Sequence, residues 1–143
     1  MFFRQHQRLF YLVIIVIVLS VLTLYFQQIK LEELRTELAK VELQDVRVGA
    51  GTSKGKLGTA IFGVIQNNGE NTIKIATVNV HFIGEDGKSS KVHKFYPVNN
   101  YSFSDSLPLE PGQSKEFGFP IDETIPEDWD GTITAKLIDL KFK

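Results

Sequence analysis

The chain has 143 residues, a formal net charge of −1, no cysteine and one tryptophan. That length holds one ordinary domain plus an anchor, and the missing thiols exclude disulfides, thiolate zinc sites, thiol nucleophiles and a lipidated cysteine. From Asp45 onward 11 Lys and Arg stand against 13 Asp and Glu, so no basic field is available to grip a nucleic acid backbone.

Residues Leu9 to Phe26 carry no charge, Gly or Pro. As a helix this stretch is roughly 27 Å long, close to the hydrocarbon thickness of a bilayer. Its β-branched run Val13–Val18 is a poor helix in water. In lipid the backbone must satisfy its own hydrogen bonds, so helix wins. Phe10 and Tyr11 at one end, and Tyr25 and Phe26 at the other, suit the two interfacial belts. A cleaved signal peptide wants a shorter apolar core and a small-x-small site, and Leu24-Tyr25-Phe26-Gln27-Gln28 offers none. The segment reads as an uncleaved signal anchor. Arg4 and Arg8 precede it and Lys30, Arg35 and Lys40 follow, so the charge tally alone does not orient it. The short basic N-terminus before an apolar core places the N-terminus inside and the rest of the chain outside the cytoplasm.

Gln27 to Leu43 keeps strong helix formers and no breaker. Leu31, Leu34, Leu38 and Val41 recur at 3-4-3 spacing and make one narrow apolar stripe. The reading is a helical stalk that continues the membrane helix, too short for an independent coiled coil. Its stripe meets either a partner or second copy, or the chain's own domain or the membrane surface.

Beyond Leu43 the apolar period changes to two. Val46 and Val48 alternate with polar residues, and Thr59–Gln66 is a strand closed by Asn67-Asn68-Gly69-Glu70-Asn71. In Thr72–Gly84, Ile73 and Ile75 share a face, the phase slips at Ala76-Thr77, and Val78, Val80 and Phe82 resume, which predicts a β-bulge. Glu85-Asp86-Gly87-Lys88 is a hairpin turn, Val92–Val98 a further strand, and Glu110-Pro111-Gly112-Gln113 a type II-like turn. Lys115–Ile121 follows, and then Thr132–Phe142, whose phase slips before Leu140. Six or seven short strands imply an all-β, antiparallel sandwich. The domain plan is a cytoplasmic tail at 1–8, a transmembrane helix at 9–26, a stalk at 27–43 and a β-sandwich at 44–143.

Gly63-Val64-Ile65-Gln66-Asn67, the Asp-Gly hairpin and the Leu-Glu-Pro-Gly turn before Phe117-x-Phe119 carry a resemblance. The region 45–143 resembles the FxLYD-type group of immunoglobulin-like domains of bacterial envelopes, although the F-x-L-Y-D string itself does not occur. The resemblance implies an immunoglobulin-like fold in an extracytoplasmic setting, with no catalytic residues to carry over.

No G-x-S-x-G elbow, phosphate-binding glycine loop or H-E-x-x-H is present, so neither catalytic residues nor a cofactor are expected. His81 and His93, on strands and without cysteine, are a poor donor set. The acidic stretch Asp122, Glu123, Glu127, Asp128 and Asp130 lacks the spacing of a calcium loop, so no metal is assigned. Lys88, Lys91 and Lys94 fit an edge strand guarded by charge. Asn100-Tyr101-Ser102 matches the N-glycosylation sequon. Trp129 either caps the sandwich or anchors a partner. Phe95, Tyr96, Tyr101 and Phe103 put four aromatics around Pro97, which either cover an open end of the sandwich or present an adhesive surface. The functional expectation is a non-catalytic, membrane-anchored scaffold or accessory subunit of a cell-envelope complex. Its partners would be the lipid bilayer and other envelope proteins or itself. The alternative is an extracytoplasmic ligand- or metal-binding module.

Overall fold

The computed structural model describes residues 2–101 and 106–143. These form one helix, α1 (Phe2–Leu38), and six strands, β1 (Val41–Ser53), β2 (Lys56–Asn67), β3 (Ile73–Gly84), β4 (Ser89–Asn99), β5 (Ser114–Pro120) and β6 (Trp129–Phe142). The chain divides into two compact units, 1–36 and 37–143.

The helix begins at Phe2 rather than at the first residue of the apolar run. At about 1.5 Å per residue it is roughly 55 Å long, well over the thickness of a hydrocarbon core. Its described part is long and apolar enough to cross a membrane. From Phe10 to Phe26 its large apolar side chains are exposed. Ser20 and Thr23 return their hydroxyls to the carbonyls of Val16 and Leu19 at 2.8 Å, which leaves neither hydroxyl unpaired.

The helical stalk expected to reach Leu43 stops at Leu38. The Lys40 N–H bonds the Glu37 carbonyl at 3.1 Å, a tightened final turn. Val41, Glu42 and Leu43 then pair with Asn67, Gln66 and Ile65. Val41 is 8% exposed in the core, and Leu38 packs against the same cluster. The apolar spacing that predicts one more helical turn is satisfied by a strand, because a ladder and a buried β-branched residue outweigh helix propensity.

The six strands make two antiparallel sheets, ordered β1-β2-β5 and β4-β3-β6. Their inner faces meet in shared clusters: Val41 and Ile65 with Ile73, Ala76, Val98 and Leu140, and Ile61 and Ile121 with Val78, Val80, Phe82 and Phe95. This is the all-β sandwich that the alternation predicts. Each such fully buried aliphatic or phenyl side chain contributes about 1.5–3 kcal/mol.

Gly63 and Asn67, the ends of the Gly63–Asn67 motif, are structural. Gly63 pairs with Phe117, and a Cβ at Gly63 would lie 2.6 Å from the Phe117 ring. Asn67 is 1% exposed. Its Nδ2 donates to the carbonyls of Asn71 (2.9 Å) and Leu109 (3.1 Å), and its Oδ1 accepts the Gly69 N–H (3.0 Å). Its backbone N–H bonds the Gln113 carbonyl, and its own carbonyl accepts from Gly112. Gly112 has φ +76° at the third position of the Glu110–Gln113 turn, as a type II turn requires. One side chain thus ties the end of β2 to two loops.

Candidate functional site

Two bulges shape one face of the β4-β3-β6 sheet. On the β4 side, Ala76 pairs with Val98 and Val78 with Phe95, so Tyr96 and Pro97 together oppose Thr77. On the β6 side, Thr77 pairs with Asp139 and Val78 with Leu137, leaving Ile138 as the extra residue. Pro97 donates no ladder bond and belongs at such an irregularity. Each bulge adds a residue and bends its strand, and here both fall beside the same β3 residue.

Between them lies a concavity of about 310 Å³ lined by Ile75, Thr77, Lys94, Tyr96, Asn99, Tyr101, Ile138, Asp139 and Lys141. Ile75 is 5% and Thr77 8% exposed, whereas Tyr96 and Tyr101 keep 44% and 55%. Ile75 belongs to neither core cluster, unlike Ile73. The two therefore do not share a face as expected, and the change of face falls between them, where the β3–β6 pairing is irregular. Asn99 stands opposite Ile75; its Oδ1 is buried and has no hydrogen-bond partner among the described residues. The Oδ1 of Asn79, paired across the sheet with Lys94 and Lys136, is in the same condition.

The residues expected to meet partners scatter. Tyr96 and Tyr101 line the concavity. Phe95 is a core residue stacked at 5.0 Å from Phe119, because strand alternation turns it inward as it turns Tyr96 outward. Phe103 lies outside the described residues. Val41 is core, Leu38 is half-buried against it, Leu34 is half-buried, and Leu31 is exposed. Trp129 packs edge-on against Phe82 at 5.8 Å and donates its indole N–H to the Thr132 carbonyl at 2.7 Å, so it closes one end of the core.

His81 and His93 do not converge. His81 pairs with Val92 and approaches Ser89 Oγ at 3.1 Å. His93 pairs with the core residue Val80 and tilts over Phe95, so the two occupy opposite sides of the sheet. Three acidic-loop carboxylates hold backbone or hydroxyl donors: Asp122 that of Thr59, Asp130 that of Thr132, and Asp128 the hydroxyl of Ser90. Among the described residues no group of three His, Asp or Glu is placed to hold a metal. In the β-unit, the carboxyl of Glu37 is lowered chiefly by its hydrogen bond to Lys40, and Lys40 is raised by the same bond, which measures 2.8 Å. Neither lines the concavity.

Sequence reasoning missed Asn99, Asp139 and Lys141. Asn99 stands inside the aromatic segment around Pro97, and the phase slip before Leu140 lies beside Asp139 and Lys141, but neither signal reveals what stands across the sheet.

The family comparison matches residues 1–137 of the chain to DUF2393, described as a protein of unknown function. The chain belongs to this family. The DUF2393 match covers both the apolar helix and most of the sandwich, and nothing in it bears on the resemblance to FxLYD-type domains. No curated protein and no solved structure matches the chain.

Proposed function

We propose that this DUF2393 member is a non-catalytic, single-pass subunit of a bacterial cell-envelope complex. Its N-terminus lies in the cytoplasm and its β-sandwich, immunoglobulin-like in character, outside it. The observation that carries the reading is the exposed apolar helix that passes, after two residues, into a strand of the sandwich core. A helix with that surface needs lipid or protein around it. Exposed Leu57, Val92 and Leu107 on the sandwich supply apolar surface for protein contacts.

Purification of the intact chain from its native membrane in mild detergent, followed by mass analysis, tests the subunit role. The expected result is a discrete set of membrane proteins at constant ratio; a lone monomer overturns it. Orientation is tested separately in this cysteine-free chain by Lys54→Cys at the exposed β1–β2 turn. Labelling by a membrane-impermeant maleimide in intact cells is expected, and labelling only after lysis refutes the assignment.

A further inference from the structure

The concavity on the β4-β3-β6 sheet has features that a protein contact does not require. We infer that it is a binding site for a saccharide of one or two rings, with an N-acetylated hexosamine the best fit. This goes beyond the anchored-subunit reading and does not rest on it.

The shape comes from two bulges at one β3 residue, and bulges of this kind re-aim side chains beside functional sites. The volume of about 310 Å³ sits at the lower end of small-ligand pockets, about 300–1,000 Å³, which suits a ring or two rather than a long chain. Tyr96 and Tyr101 remain half exposed beside the buried floor of Ile75 and Thr77. They offer aromatic surface on which the C–H face of a pyranose can stack. Asn99 lines the wall, and its amide Oδ1, closed to solvent in this conformation, has no donor among the described residues, a condition that is costly to maintain. Turned about its last side-chain torsion into the concavity, the amide would meet an acetamido N–H or a sugar hydroxyl as that donor. Lys94 and Lys141 can donate to sugar oxygens, and Asp139 can accept from hydroxyls.

Other ligand classes meet fewer of these groups. A purely apolar ligand leaves Asn99 and Asp139 unpaired. An inorganic anion is drawn by the lysines but faces Asp139 and the Asn99 oxygen, and it has no use for the tyrosines. An extended peptide adds to a sheet edge through backbone hydrogen bonds, whereas this concavity lies across the face of a sheet. A saccharide combines a stackable apolar face with a rim of donors and acceptors.

The test uses the full chain, 15N-labelled, in micelles of an amine-oxide detergent, since glycoside detergents would compete. The disaccharide of N-acetylglucosamine is titrated while amide resonances are followed, with glycerol and sulfate as controls. Saturable shifts at Tyr96, Asn99 and Tyr101 are expected, with Kd on the order of 1 mM. Tyr101→Ala, on an exposed residue, should weaken binding about tenfold while the remaining resonances keep their dispersion. Asn99→Ala should do the same. Absence of saturable shifts overturns the proposal, as do equal shifts with glycerol, which mean general solvation by polyols. Shifts with sulfate alone make it an anion site and also overturn it. Shifts that follow protein concentration without sugar make the face a contact between copies, which overturns it too. None of these outcomes touches the co-purification result, so the two readings fail separately.

Discussion

Replacing Asn67 by Ala removes three hydrogen bonds that its side chain makes to the Asn71 and Leu109 carbonyls and the Gly69 N–H. At about 1 kcal/mol net each, the loss is near 3 kcal/mol. Two features moderate it. Leu109's carbonyl keeps the Ile73 N–H as a second partner, and Asn71 is exposed, so its carbonyl can rehydrate. A cost of about 2–3 kcal/mol remains, which lowers Tm by about 10–20 °C for a domain of this size. Trp129 reports the transition, being the chain's only tryptophan and packed on Phe82 in the core. Urea and thermal unfolding of the full chain in micelles, followed by its fluorescence, give the difference. Asn68→Ala is the control: the neighbouring residue is exposed and its backbone makes the contact to Lys40, so a change within about 0.5 kcal/mol is expected. If Asn67→Ala is as mild as Asn68→Ala, the two loops are held by something else and the structural reading of the motif fails.

Gly63→Ala should destabilise by about 1–3 kcal/mol, because the added methyl drives into the Phe117 ring. Combined with Phe117→Leu it should cost less than the two changes summed, and strict additivity in a double-mutant cycle would refute direct contact. Glu37→Gln tests the pair with Lys40. The Glu37 carboxyl is depressed in the folded state, so its contribution is present above the ordinary value of 4.5 and fades as pH falls through the lower folded value. Lys40 is raised, so its share is present below 10.5 and is lost as pH rises through the higher folded value. Wild type should therefore exceed Glu37→Gln in stability between those limits by a small margin, since the pair is partly exposed. A gap that persists in strong acid would refute this.

Much of the fold was legible because it rests on alternation and turn chemistry. The Asp86-Gly87 and Pro111-Gly112 turns announce themselves, and both glycines adopt φ near +75°. The β1–β2 hairpin carries little sequence signal because its turn is Lys54-Gly55, with Lys54 itself at φ +51°, where Asn or Asp is the usual signal. The sequence carries the stalk five residues past the end of α1 because Leu38 and Val41 suit a helix as well as they suit a core, and only the ladder to β2 decides. The aromatic segment is continuous in sequence, yet Phe95 and Tyr96 point to opposite sides of the sheet. The concavity was out of reach, since it depends on which residues of β4 and β6 stand beside Thr77, and that register is written in no single strand.

The short connection at Leu38–Val41 has a mechanical consequence. Tension applied through the helix enters the sandwich at Val41, the first residue of β1, whose partner across the ladder is Asn67. The first rung to carry load is thus the rung already fastened to two other loops through the Asn67 amide, and a pull on the helix is shared among three segments before β1 can peel.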